Sequence, residues 1–219
     1  MSRPERSERP EGGTGPGKRP ERPARPARPA RPARAARPAR QPGGSLPGGL
    51  RLRCWTGQDA AGLLLGLRDP LVERYSGYLL ADRAAAELAV QAFAAAWTEG
   101  TGAAWAIDDA GGTVLGSLRF GLTDAELGLG VVGYWLSPSA RGRGVASAAL
   151  TIGSEAVFAR LHWHRVELRH AVENERSCGV ARRAGYRLEG TLRAGMRYPS
   201  DGRWSDEHLH ARLASDPLP

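Results

Sequence analysis

Midway along the chain, Gly133-Tyr-Trp-Leu136 reads as the end of a strand and stops at Ser137-Pro138. A short turn, Ser139-Ala-Arg-Gly-Arg-Gly144, leads into a run of helical period. In Val145–Leu161 the apolar positions Val145, Ala149, Ile152 and Ala156, with Ala146, Leu150, Val157 and Leu161 beside them, form one wide side. Ser147, Thr151, Ser154 and Glu155 are expected on the other. Arg165–Val172 then reads as another strand. A strand–helix–strand unit of this length joins two parallel strands through a right-handed crossover. That unit restricts the fold more than any other stretch.

The flanking segments complete the pattern. Leu50–Trp55 alternates like a strand, and Thr56-Gly-Gln-Asp59 has the form of a capping box opening a helix over Ala60–Leu67. A second helical region runs to Trp97, its last part opening at Asp82. Ala103–Ile107 and Thr113–Phe120 flank a five-residue connection containing glycine, as in a hairpin, and Leu127–Leu136 is the next strand. After Arg165–Val172, Asn174 caps a short helix ending at Arg182-Arg-Ala-Gly185. Tyr186–Tyr198 and Trp204–Leu213 are the last two strands. The class is α+β, with a central mixed sheet of about seven strands flanked by helices.

Two glycine patterns compete for a phosphate-binding role. Gly128, Gly130 and Gly133 spell G-x-G-x-x-G, but a dinucleotide fingerprint must follow a strand and open a helix. Here Tyr134-Trp-Leu-Ser-Pro follows and nothing helical begins, so these glycines belong to a strand that something approaches closely. The Arg141-Gly-Arg-Gly144 turn passes the same test. Its glycines let amides point inward, and the unpaired N–H groups opening the Val145 helix carry the positive end of its dipole. An anion there gains about 0.3–2 kcal/mol from the dipole, and Arg141 and Arg143 add charge. No Gly-Lys-Ser/Thr ends the loop, so it is not a Walker loop.

Residues 1–49 differ from the rest. They hold no aromatic residue, and their centre is the repeat PARPARPARPARAARPAR. Such a segment cannot bury enough surface to offset its ordering entropy and is expected to be a disordered, Arg/Pro/Ala-rich tail. The whole net charge of +8 resides in residues 1–50; the remaining 19 arginines are balanced by 19 acidic residues. The folded part therefore offers no general electrostatic reason to bind nucleic acid. In polyproline II geometry Arg25, Arg28, Arg31, Arg34, Arg37 and Arg40 line one edge, suiting residues 19–40 to a weak RNA or ribosome contact; the rival expectation is a solvated leader with no specific partner. Lys18 is the sole lysine, which excludes a lysine nucleophile from the folded part. Two cysteines, Cys54 and Cys178, are too few for a disulfide framework. No apolar run has the length of a membrane span, and a cytoplasmic protein is expected.

Arg141, Gly144 and Ala146, as Arg-x-x-Gly-x-Ala, resemble the acetyl-CoA pyrophosphate loop of the GCN5-related N-acetyltransferases, the GNAT family. The similarity covers about residues 50–214, leaving 215–219 as a short C-terminal tail. GYWLSPSARGRG, HRVELRHAVENERS and ARRAGYRLEGTLR carry it, the last two resembling the branch that contains ribosomal-protein-alanine N-acetyltransferases. The resemblance implies acetyl transfer from acetyl-CoA to an amine, a protein N-terminus or a small molecule, in a ternary complex without a metal. It implies a splay between Gly133–Leu136 and Glu167–Val172. There the pantetheine arm pairs with the backbone of Tyr134–Leu136, and an N–H near Trp135 or Leu136 stabilises the oxyanion. The pyrophosphate rests on the amides of Arg141, Gly142, Arg143, Gly144, Val145 and Ala146.

The same resemblance implies a general acid. Many members use a tyrosine where this chain has Ala181; the ribosomal-protein-like branch uses a serine three residues after an asparagine, here Ser177 after Asn174. Asn174 joins both the catalytic and the cofactor-binding sets, although both residues also serve as an ordinary helix start. The glutamate that relatives carry before the Gly-Tyr-Trp strand end is replaced by Val131, leaving Glu173, Asp206 or a water chain as base. Arg74, Tyr75 and Tyr78 are acceptor-contact candidates. His162-Trp-His164 and His208-Leu-His210 lack an obvious third ligand, so they read as ordinary imidazoles, and Cys178 as a buried thiol. Trp55, Trp97, Trp105 and Trp135 are expected in the core or the pocket wall. Alternatives are a non-catalytic CoA-binding sensor and an RNA- or ribosome-associated protein acting through the tail. A monomer or dimer is expected.

Overall fold

A computed structural model describes residues 41–219 except Gly77; the expected tail over 1–40 lies outside the described residues. Among the described residues eight strands form one sheet. They are β1 (Gly44–Leu46), β2 (Leu50–Cys54), β3 (Gly102–Asp108), β4 (Val114–Asp124), β5 (Leu129–Leu136), β6 (Arg165–Ala171), β7 (Arg187–Arg197) and β8 (Trp204–Leu213). The order is β1-β2-β3-β4-β5-β6-β8-β7. Every neighbouring pair is antiparallel except β5 and β6, which run parallel. The parallel pair is the one expected from the strand–helix–strand unit, and its connecting helix α4 spans Val145–Leu161.

The extra strand corrects the tail boundary. Sequence alone puts residues 41–49 in the tail, because Gln-Pro-Gly-Gly-Ser-Leu-Pro-Gly-Gly offers one apolar side chain and many turn residues. In the fold, Gly44–Leu46 pairs with Leu50–Leu52, and Leu46 is buried. Gln41 donates to the carbonyl of Ala104 at 2.9 Å, and the Trp105 indole donates to Pro42. A glycine-rich segment becomes a strand here because an existing sheet edge supplies its hydrogen bonds.

Helices cover both faces. On one face lie α1 (Ala60–Leu67), α2 (Pro70–Tyr75) and α3 (Arg83–Glu99). They bury Leu63, Leu67, Val90 and Phe93 against Trp55, Ala104, Ala106 and Trp135. On the other face α4 and α5 (Glu175–Arg183) cover Leu52, Trp105, Leu118, Phe120, Val132 and Leu168. Trp55, Trp97, Trp105 and Trp135 are all buried, as expected. The capping residues also behave as their chemistry dictates. Asp59 accepts from the Thr56 amide at 2.7 Å, Asp82 from Ala85 at 2.8 Å, and Asn174 from Ser177 at 3.3 Å.

One expectation about α4 fails. Ser147 and Ser154, placed on the outer side by periodicity, are both buried. Ser154 hydrogen-bonds Tyr186 at 2.7 Å and donates to Leu150 O at 2.7 Å. The helix is enclosed by the sheet on one side and by α5 and the segment after it on another, so its apolar stripe understates its buried surface.

Candidate active site

The parallel pairing of β5 with β6 runs from Leu129↔Arg165 to Val132↔Leu168 and then stops. Beyond it Gly133–Leu136 and Arg169–Ala171 separate, while β5 stays paired with β4 as far as Leu136. Only the β5 edge facing β6 is left open. The separation starts later on β6 than the resemblance implies. Glu167 is still in the ladder, held by Arg165 and Arg169, and Leu168 is buried in the core. A cavity of about 1680 Å³ occupies the splay.

Tyr134, Trp135, Leu136, Arg141, Gly142, Gly144, Val145, Ala146, Asn174 and Ser177 all line that cavity. Gly142 and Gly144 each have φ +75°, and a Cβ on either would meet nothing within 4 Å. Backbone conformation, not crowding, requires glycine at both positions. Gly144 is the N-cap of α4 and provides no side-chain cap, so the first-turn amides are not taken up by an N-cap side chain.

The two loop arginines turn away from that duty. Arg141 donates to Leu136 O at 2.9 Å and to Asp69 at 2.5 Å. Asp69 caps α2 through the amides of Leu71 and Val72. Burial pushes the Asp69 carboxyl up, but Arg141 and those amides outweigh it and hold it below the usual range. Arg141 thus ties the loop to the opposite helical layer. Arg143 is not on the cavity wall among the described residues; it donates to Gly48 O at 3.1 Å and Ser139 O at 3.4 Å. A further cation beside the first turn of α4 is Arg183, whose Nε donates to Ser147 Oγ at 3.2 Å. In sequence Arg183 signals only a helix C-terminus; its reach back to α4 is a tertiary fact.

The competing G-x-G-x-x-G glycines have separate structural reasons. Gly128 has φ +65°. A Cβ on Gly130 would run into the Trp163 ring, whereas Gly133 faces open space. None of them opens a helix.

On the α4/α5 side of the cavity, Ser177 Oγ lies 2.9 Å from the Tyr134 hydroxyl. Burial pushes that hydroxyl up to about 12, with Ser177 and Arg183 working against the rise. Asn174 caps α5 and so sets where Ser177 stands. Ala181, in the place where many members have a tyrosine, is wholly buried. Tyr134, expected only as a backbone partner, therefore brings the second hydroxyl to this spot.

On the other side Val131 is on the wall, as are Tyr75, Tyr78 and Arg119; the carboxylates that line the cavity are Glu173, Glu175 and Glu207. Glu173 pairs with Arg74 at 2.7 Å, and Arg74, then Tyr198, holds its carboxyl below the usual range. Arg74 itself stacks over Tyr75 and Tyr198 instead of lining the cavity. Asp206 is off the wall and accepts from the Ala194 amide at 2.8 Å. Glu207 is on it, and burial pushes its carboxyl up against the opposing pull of Arg169. Nothing in the sequence near Glu207 marks it; strand pairing opposite Ala171 puts it there.

The acetyltransferase (GNAT) domain family matches residues 49–187. The chain belongs to this family and is an acetyl-CoA-dependent N-acetyltransferase, a reaction that needs no metal in the family. Among solved structures it is similar to Mycobacterium smegmatis RimJ in complex with a CoA disulfide, at 27% identity and TM-score 0.69 over 81% of this chain and 90% of that one. A Vibrio fischeri ribosomal-protein-S5-alanine acetyltransferase shares the fold at 18% identity and TM-score 0.69, covering 78% of this chain and 96% of that one. RimL, a ribosomal L7/L12 α-N-protein acetyltransferase in complex with coenzyme A, does so at 22% identity and TM-score 0.67, covering 78% and 98%. No curated protein matches. No described helix is long and apolar enough to cross a membrane.

Proposed function

We propose that the chain acetylates the α-amine of a protein N-terminus by direct attack in a ternary complex. The carrying observation is the splay itself, which opens one side to the α4 N-terminus and the other to a wall of Tyr75, Tyr78, Arg119 and Glu207. In this reading the free β5 edge at Tyr134–Leu136 binds the pantetheine arm. The amides of Arg141–Ala146 and the Arg183 guanidinium bind the pyrophosphate. An N–H of Trp135 or Leu136 faces the developing oxyanion. Ser177 gives a proton to the departing thiolate and is resupplied through Tyr134; Asn174 is a positioning residue that holds Ser177. Glu207 takes the amine proton. An α-amine has an ordinary pKa of about 7.7–8.0, so a single carboxylate with water suffices where relatives carry a glutamate at the Val131 position.

The likeness to the ribosomal-protein acetyltransferases favours a protein acceptor, and such a substrate would place the enzyme in the cytoplasm. The test is a panel of peptides differing in their first residues, assayed with acetyl-CoA beside polyamines and amino sugars. Turnover of peptides with free N-termini, abolished by N-terminal blocking, is expected. Turnover confined to the small amines would overturn the acceptor assignment.

A further inference from the structure

Between α5 and the sheet, next to the cavity whose wall includes His170, the fold gathers residues that are far apart in sequence. His170 on β6 stands directly opposite His208 on β8, and His210 follows two residues along on the same face. Cys178 on α5 lies against them. One ligand-capable atom from each of these four residues lies within 4.8 Å of all the others. His170, His210 and Cys178 are buried and His208 is half-buried. The His170 and His210 rings stack at 5.2 Å. The H-x-H pair of β8 thus acquires the further partners that sequence spacing does not show, whereas His162 and His164 remain exposed at the end of α4.

The hydrogen-bonding pattern is that of ligands without an ion. His170 Nδ1 lies 2.9 Å from Ala171 O, and His210 Nδ1 lies 3.3 Å from Tyr186 O. Donation to those carbonyls puts the hydrogen on Nδ1 and leaves a lone pair on Nε2, the arrangement in which a backbone carbonyl orients a metal-binding imidazole. His170 Nε2, His210 Nε2 and His208 Nδ1 are shielded from solvent and have no hydrogen-bond partner. Three orphaned nitrogens around one buried thiol are costly unless something binds them. No carboxylate takes part, so the set suits a borderline ion and not magnesium or calcium.

We propose that His170, Cys178, His208 and His210 form a closed tetrahedral site for a divalent transition metal, zinc foremost. With bonds of about 2.0–2.3 Å, tetrahedral donors stand about 3.3–3.8 Å apart, so the cluster contracts by roughly 1 Å on loading. Cys178 binds as thiolate and its proton passes to solvent. With four protein ligands no position is left for substrate, and the ion stands outside acetyl transfer. Its role is structural: it fastens α5 to β6 and β8, one residue from Ser177.

The full chain, carrying no polyhistidine tag, is stripped with chelator and titrated with Zn²⁺, then with Co²⁺. One equivalent of zinc is expected, with a higher thermal midpoint and, for cobalt, a thiolate-to-metal charge-transfer band. Cys178→Ser should remove that band, and His208→Gln, at the half-buried ligand, should weaken zinc binding by about 100-fold or more. Should either variant fail to fold, the wild-type titration still decides. Less than half an equivalent of zinc at micromolar concentration, with no rise in midpoint, overturns the proposal. So does a charge-transfer band that survives Cys178→Ser.

Discussion

The two sides of the splay are built differently. On the side proposed for the donor the backbone cradle is local: one strand end, one loop and one helix start, contiguous from Tyr134 to Ala146, with only the Arg183 side chain brought in from α5. On the acceptor side Tyr75, Tyr78, Arg119, Val131 and Glu207 come from the end of α2 and the loop after it, and from three strands. A local site can be recognised from spacing, because backbone conformation and helix polarity follow from neighbouring residues. A site collected across the sheet exists only once the register is set. The difference teaches that cofactor recognition and substrate recognition carry unequal traces in one chain.

Substitutions separate the two sides. The largest effect is expected for Gly144→Glu, which forces a side chain onto φ +75° and puts a carboxylate at the α4 N-terminus. Affinity for acetyl-CoA measured by calorimetry should fall about a thousandfold, roughly 4 kcal/mol. Gly144→Ala, with the strain but not the charge, should lose far less. Near-normal binding by the glutamate variant would move the phosphate site elsewhere.

Ser177→Ala comes next. Its kcat should drop about a hundredfold, the lower range for a positioned acid, while acetyl-CoA binds as before. An unchanged kcat would leave Ser177 with only its part in starting α5. On the acceptor side, Glu207→Gln should lower kcat/KM for the peptide by about tenfold, again with donor affinity intact. A loss of acetyl-CoA binding in that variant would erase the separation between the two sides.

The smallest effect sharpens the donor side itself. Arg183→Gln should weaken acetyl-CoA about fivefold, as a single exposed charge-assisted contact allows. Arg143→Gln should change it less than twofold, because Arg143 donates to Gly48 and Ser139. The reverse order would return the phosphate contact to the loop arginine.

Sequence alone determined the helix bounds at Val145 and Leu161, the caps at Asp82 and Asn174, the parallel pair and the glycine loop. Each rests on neighbours within a few turns or on an order of elements with few topological solutions. Tertiary structure decided the rest. Gly44–Leu46 became a strand because β2 offered an edge, and Ser154 was buried because Tyr186 met it. Arg141 was drawn to Asp69 across the fold, Glu207 took the acceptor wall by register, and His170 and Cys178 joined His208 and His210. Except for Gly44–Leu46, whose partner strand follows directly, the partner lies many residues away. The contact becomes favourable only after the sheet has formed and loop closure has been met by burial.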